Sequence, residues 1–358
     1  MVKILHAADF HLDSAFSALS EERARQRRQE SRQLVGRMVD YANDHGVELL
    51  LLAGDLFDGE RVYTETLEEV SAALGRFRGQ VLIAPGNHDY YAPRSPYVRT
   101  MWPENVHVFK EKHVEKVEFP QYNCTVFGAA FTAPEMEELT ESLPYSDGEV
   151  KLLVLHGDAE AANSHYRTIS RQWLSRSGAH YAALGHVHEY RGVQRAGNTD
   201  YAYCGCPEGR GFDELGEKGF LLGEVDQQGA RLQFVPFANR QYHLLSVDVT
   251  GREIFATVRD VLRGREEDVC RVILRGEVET KVDVAALEEE MAKLVWQLEI
   301  RDETRLQQDI WENCHEDTLR GLFLRELRSE YETADEERRA VIEQAARYGV
   351  AAMENREL

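Results

Sequence analysis

Five short apolar runs in this 358-residue chain each break off into the same kind of polar cluster, and that repetition constrains the fold more than any other feature. Val2–Ala8 ends in Asp9-Phe10-His11, and Val47–Ala53 in Gly54-Asp55-Leu56-Phe57-Asp58. Val81–Ala84 leads through a Pro-Gly turn into Gly86-Asn87-His88-Asp89. Lys151–Leu155 ends in His156-Gly157-Asp158, and Ala179–Leu184 in Gly185-His186-Val187-His188. Runs so short and so nearly all apolar are expected of strands buried on both faces. Helical patterns separate the first three. Glu21–His45 carries Leu34, Val35, Met38, Val39 and Ala42 at helical spacing, with Gly46 at the C′ position, and a second pattern lies around Thr64–Phe77. The order strand, helix, strand, helix, strand predicts an α/β sheet, in which ligands gather outside the carboxyl ends of the strands. The five clusters should therefore converge.

Beyond this core the pattern predicts a hairpin or meander over about residues 105–130 and a short helix near Ile169–Ser175. Further strands are expected at Glu189–Gln194, Tyr201–Cys204, Gly219–Val225 and Arg231–Pro236, forming a second sheet packed on the first. The character changes after about residue 243: strands at His243–Val249 and Cys270–Leu274, a helix from Arg252 to Leu262 and another over Val284–Leu298. The expected division is 1–242 for the main domain, 243–304 for a small capping α/β domain, and 305–358 for a helical segment. In that segment Leu319, Leu322, Phe323 and Leu327 form a stripe that serves either as core or as a partner-docking face.

Asp, Asn and neutral His supply oxygen and imidazole ligands suited to Mn, Fe or Zn ions. D-x-H and H-x-H place two side chains on one side of an extended strand. Glycines at 54, 86, 157 and 185 remove a Cβ where a loop turns sharply or approaches an ion. Alone, a D-x-H is an ordinary polar strand end and a G-D-x-x-D an ordinary helix-capping turn. Together the clusters offer seven candidate ligands: Asp9, His11, Asp55, Asn87, His156, His186 and His188. That set over-supplies one tetrahedral ion and suits two ions about 4 Å apart that share a carboxylate.

Composition bounds the partners. Lys and Arg number 42 against 63 Asp and Glu, a net charge of −21, which argues against wrapping nucleic acid by bulk electrostatics. No run approaches the roughly 18 apolar residues of a bilayer span, and charge interrupts the first residues too early for a secretory segment. Five scattered cysteines read as reduced thiols, so a soluble cytoplasmic protein is expected. The run Arg23, Arg25, Arg27, Arg28 and Arg32 is read as a solvated helix face paired with Glu21, Glu22 and Glu30, rather than as phosphate contacts. Cys204-x-Cys206 is read as a structural turn, and His6, His45, His107, His113, His165, His180, His243 and His315 as non-ligands.

The series ADFHLD (8–13), GDLFD (54–58), GNHD (86–89), HGD (156–158) and GHVH (185–188) resembles the calcineurin-like metallophosphoesterases. Within that family it is most similar to SbcD-type DNA-repair nuclease subunits and their YhaO-like bacterial relatives. Tyr203–Glu214, followed by Gly216–Gly219, resembles a loop of that branch. The resemblance covers about residues 1–240. It implies a layered α/β/β/α core of two packed sheets flanked by helices, with a small α/β cap and terminal helices. It implies two divalent ions, manganese by family habit, with Asp9, His11, Asp55 and His188 around one. Asp55, Asn87, His156 and His186 would hold the other, with Asp55 bridging. His88 would face the substrate phosphate as the catalytic residue, hydroxide formed between the ions attacking phosphorus in line. Some nuclease relatives have a second histidine where this chain has Asp58, which then serves to orient a neighbouring ligand. The implied substrate is DNA and the implied partner an SbcC-like or YhaN-like coiled-coil ATPase, with a homodimer also admitted. Two alternatives remain: a phosphodiesterase or phosphatase for small nucleotide-type substrates, and a binding subunit with little turnover.

Overall fold

The alternation of side chains along the strands decides which residues meet between layers. The structure is a computed structural model that describes residues 1–145, 149–161, 164–307 and 310–353. It divides into two units, the first made of Met1–Leu244 with Gly264–Cys270 and Val295–Gln297. Its elements run β1 (Val2–Ala7), α1 (Glu21–Asp44), β2 (Leu49–Leu52), α2 (Thr64–Gly75), β3 (Gln80–Ile83), the single turn α3 (Pro96–Arg99) and β4 (Val106–Val108). They continue with β5 (Glu115–Phe119), β6 (Cys124–Gly128), β7 (Val150–His156), α4 (Arg171–Ser177) and β8 (Tyr181–Gly185). The last are β9 (Gln194–Ala196), β10 (Thr199–Tyr203), β11 (Gly219–Asp226) and β12 (Gly229–Pro236).

Two six-stranded sheets result, in the orders β12-β11-β1-β2-β3-β4 and β5-β6-β7-β8-β10-β9. β1 to β4 are parallel neighbours, with Leu5 opposite Leu50 and Leu51 opposite Leu82. β6, β7, β8 and β10 are parallel in the second sheet, flanked by antiparallel β5 and β9. Leu49 and Leu51 of β2 join Val126, Leu152, Val154 and Ala183 of the second sheet in one buried cluster. Leu50 and Leu52, on the opposite face, pack with Leu34, Val35 and Met38 of α1 and Leu67 and Val70 of α2. Leu153, Leu155, Ala182 and Leu184 of the second sheet meet Leu174 of α4. The layers are helix, sheet, sheet, helix. Each buried leucine contributes about 1.5–3 kcal/mol, so a run such as LLLL holds both faces of its sheet at once.

Several expectations are corrected. β11 and β12 do not join the second sheet; β11 pairs antiparallel with β1, Leu222 opposite Leu5, and so extends the first. No strand covers residues 189–193; β9 starts at Gln194. Arg27 is not solvated: it is fully buried against Glu208 and Glu30, while Arg25 pairs with Glu21 on the surface.

The remaining elements are β13 (Tyr242–Asp248), α5 (Ile254–Leu262), β14 (Val269–Arg275), β15 (Glu277–Val278), α6 (Val284–Met291), β16 (Gln297–Asp302), β17 (Arg305–Leu306), α7 (Leu319–Thr333) and α8 (Glu336–Met353). They include a three-stranded sheet β13-β14-β16 and a two-stranded pair β15-β17. The helix expected over Val284–Leu298 stops at Met291, because Leu298 and Ile300 are buried while Glu299 and Arg301 between and beyond them are not, which is strand alternation. In the α7–α8 pair, Leu324 and Ala346 are buried with Phe323, Leu327 and Val350 against them, whereas Leu319 and Leu322 are exposed. Among the described residues no helix is long and apolar enough to cross a membrane.

Candidate metal centre

The five polar clusters sit at the carboxyl ends of β1, β2, β3, β7 and β8, and they meet. Backbone hydrogen bonds from Asp9 to Gly54, His11 to Asp55 and Leu12 to Leu56 zip the loop after β1 to the loop after β2. The loops are not extended strand, as the D-x-H pattern suggested. Asp9 (φ 56°), His11 (φ 44°), Asp55 (φ 49°) and His186 (φ 112°) all have positive φ. Each such non-glycine residue costs about 1–3 kcal/mol, a strain typical of functional sites and sustained by the surrounding packing. Gly54 (φ +90°) is required on two counts, since a β-carbon there would also collide with the His156 ring.

Three imidazoles are oriented from behind. His11 Nδ1 lies 3.1 Å from Asp58 Oδ1, His188 Nδ1 2.7 Å from Glu214 Oε1, and His156 Nδ1 3.0 Å from the Ala53 carbonyl. All three partners only accept, so each Nδ1 carries the proton and each Nε2 presents a lone pair inward. The inward atoms crowd one another. His11 Nε2 and His188 Nε2 are 3.2 Å apart, and His156 Nε2 lies 2.9 Å from Asn87 Oδ1. Asp55 Oδ2 stands 3.6 Å from His11 Nε2 and 3.4 Å from His156 Nε2, between the two groups. The Asp9 carboxylate accepts the His186 backbone N–H at 3.0 Å and has Oδ1 4.0 Å from His188 Nε2. The His186 ring lies 5.4 Å from that of His156 and 5.2 Å from Tyr166. Facing lone pairs repel, and only a shared cation or proton binds them together.

The electrostatics point the same way. Burial, with the neighbouring Asp55 charge, pushes the Asp9 carboxyl up to about 8. Burial opposes ionisation of Asp55 too, yet its carboxyl lies below the usual range, the His88 backbone N–H being one of the groups that favour its charged form. Burial keeps His156 neutral, lowering it to about 4, and lowers His11 and His186. Burial opposes a charge on His188 too, but the Glu214 hydrogen bond and the Asp9 charge raise its pKa above the usual imidazole value. Two buried carboxylates, one amide and four imidazoles thus form a pocket rich in potential ligand atoms. Divalent ions fit it. Asp9, His11 and His188 bring ligand atoms within 4.8 Å of one another, as do Asp9, Asp55 and His156.

His88 stands apart from this cage. Its backbone N–H donates to Asp55 Oδ1 at 2.9 Å, while its ring lies edge-on to His11 at 4.6 Å and its side chain is 46% exposed. Asp58 occupies the place expected of an orienting group behind His11. Asp89 is fully buried and ties two loops together, accepting from Phe57 N, Gly86 N and the Tyr97 hydroxyl. Glu214 and Arg210 lie in the 203–214 loop that the family resemblance picks out, but sequence alone assigns neither a role at the site, since no spacing signals their contact with His188. His6 is a satisfied core histidine, bonded to Tyr181 and the Leu184 carbonyl.

Residues 2–190, which include the seven candidate ligands and His88, match the Calcineurin-like phosphoesterase family. The chain is 29% identical over 335 residues to the uncharacterized metallophosphoesterase YhaO of Bacillus subtilis, covering 84% of this chain and 81% of YhaO. It is 24% identical over 325 residues to the DNA double-strand break repair protein Mre11 of Methanopyrus kandleri, covering 82% of this chain and 67% of that protein. To the Mre11 of Aeropyrum pernix it is 27% identical over 288 residues, covering 74% and 68%.

Proposed function

From the premise that this chain belongs to the calcineurin-like phosphoesterase family, we propose that it hydrolyses DNA phosphodiester bonds, as an exonuclease or endonuclease, with two divalent cations. The observation that carries the reading is the 3.2 Å approach of His11 Nε2 to His188 Nε2, both lone pairs turned inward. Asp9, His11, Asp55 and His188 would hold one ion, and Asp55, Asn87, His156 and His186 the other. Manganese is the ion proposed. Bound there, the pair supplies Lewis acidity and a water that ionises near neutral pH.

The chain's own side chains do the rest. The Nδ1 anchors of His11, His156 and His188 keep the imidazoles from turning, so the cage is formed before substrate arrives. His88, half-exposed at the rim, reaches the scissile phosphate and delivers a proton to the leaving oxygen, worth about 10²–10⁴-fold. Two relatives named for DNA double-strand break repair support DNA as the substrate. With a net charge of −21, this chain takes its DNA affinity from a partner, an SbcC-like or YhaN-like coiled-coil ATPase. Residues 1–242 then form the nuclease domain and 243–304 the cap. Residues 305–358 form the docking segment, of which 308–309 and 354–358 lie outside the described residues. Five unpaired, buried cysteines suit a reducing cytoplasm.

The test is cleavage of end-labelled DNA in Mn²⁺, with Asp55→Ala as control. Cleavage lost in the control supports the reading. Hydrolysis of small chromogenic diesters alone, or inactivity in every metal, overturns it.

A further inference from the structure

Behind the two facing imidazoles lies a structure that the motif series does not contain. Glu214 Oε1 accepts from His188 Nδ1 at 2.7 Å and from Arg210 Nη2 at 2.8 Å, while its Oε2 accepts the Arg210 backbone N–H at 2.8 Å. Arg210 Nη1 reaches Asp58 Oδ1 at 3.3 Å, the same oxygen that accepts from His11 Nδ1. One guanidinium thus joins two carboxylates, and each carboxylate backs one imidazole. The loop that carries Arg210 is pinned just before it. Buried Arg27 donates to Glu208 Oε1 at 2.7 Å and to the Gly209 carbonyl at 2.8 Å, and Glu208 Oε2 accepts from the Asn239 N–H at 2.7 Å.

The other half of the cage is backed differently. His156 Nδ1 donates to a neutral backbone carbonyl, and among the described residues no carboxylate hydrogen-bonds to the His156 or His186 ring. A carboxylate behind a ligating imidazole fixes its ring and raises its basicity, and removing such a partner typically costs about 10–100-fold in metal affinity. Without Arg210, the Asp58 and Glu214 carboxylates would lose the one cation they share among the described residues.

We propose that Glu214 and Arg210 are positioning residues for the His11–His188 half of the cage, setting metal affinity there and not in the Asn87–His156–His186 half. The inference rests on the two-cation reading above. Its test is Mn²⁺ binding to the full chain, followed by calorimetry and by the electron paramagnetic resonance of free Mn²⁺, with thermal melting of the apo-proteins alongside. Wild type binds two ions. Glu214→Gln and Arg210→Met each weaken one of the two by about 10–100-fold and leave the other within about twofold, with Arg210→Lys recovering part of the loss. Two unchanged sites in both variants overturn the inference while leaving the two-cation reading intact. Equal weakening of both sites also overturns it, since that is what general loosening of the fold gives. A wild-type chain that binds no Mn²⁺ overturns both.

Discussion

Gly86 lies against Asp55 so closely that a β-carbon at position 86 would fall inside the van der Waals surface of Asp55 Oδ1. The same oxygen accepts the His88 N–H, and Gly86 donates its own N–H to Asp89 at 2.7 Å. The loop after β3 is thus laid directly on the carboxylate that stands between the two groups of imidazoles. Gly86→Ala should push Asp55 out of place, at a cost of about 1–3 kcal/mol from overpacking. Calorimetry should find Mn²⁺ binding weakened at both halves of the cage, unlike the one-sided loss expected of Glu214→Gln. Undisturbed binding at both would remove Asp55 from its bridging role.

His88 offers a cleaner separation of chemistry from assembly. It meets Asp55 through its backbone N–H, while its ring stands edge-on to His11 and half-exposed. His88→Ala should lower kcat on DNA by about 10²–10⁴-fold, with Mn²⁺ affinity and melting temperature near those of wild type. A kcat within a few-fold of wild type would take His88 out of the mechanism. A parallel loss of metal would instead assign it to the cage.

These expectations differ in how far the sequence foretold their basis. Val47–Ala53 reads as a strand because both sets of its leucines are apolar, and both faces of β2 are indeed buried, one against a sheet and the other against α1 and α2. The meeting of the five clusters follows from strand ends alone. The route by which Asp9 and His11 enter the cage does not, since nothing in D-x-H announces left-handed positions at both its first and third residues. The pairing of β11 with β1 joins segments from opposite ends of the domain, and its pattern reads equally well in either sheet. Arg27 looks like its neighbours in an arginine-rich helix; only the loop bearing Glu208 makes it a buried cation. The loop of Glu214 and Arg210 shows in the family resemblance, but their role does not, for the same reason: their partners are set by tertiary structure, not by spacing.

The α7 helix makes a prediction about the proposed partner. Leu324 is buried against α8, while Leu319 and Leu322 are 74% and 57% exposed, two large apolar side chains one turn apart with no cover in the described residues. If they anchor the ATPase, Leu319→Asp with Leu322→Asp should weaken its capture by the co-expressed full chain by at least roughly 30-fold, about 2 kcal/mol for a central apolar anchor. A chain ended near Thr304 should lose capture altogether. Full capture by either would place the docking surface elsewhere.

His6 is buried in β1 between the Tyr181 hydroxyl at 2.8 Å and the Leu184 carbonyl at 3.2 Å. The carbonyl takes the Nε2 proton and the hydroxyl donates to Nδ1, so both nitrogens are satisfied in the neutral ring. Burial lowers its pKa from 6.5 to about 3. The unfolded chain binds a proton below 6.5 that the folded chain refuses down to about 3. Acid therefore favours unfolding across that window, and above 6.5 the residue adds no pH dependence. Between pH 7 and pH 5 the loss from this one group is about 2 kcal/mol, at roughly 1.4 kcal/mol per pH step below 6.5. Urea unfolding of the metal-free protein, in EDTA at both pH values, measures it. His6→Gln should be less stable than wild type at pH 7 yet lose about 2 kcal/mol less on going to pH 5. The comparison is a difference of differences, so the cost of the substitution itself cancels, as do the other histidines common to both proteins. An equal acid loss in the two proteins would mean that His6 is already protonated in the fold.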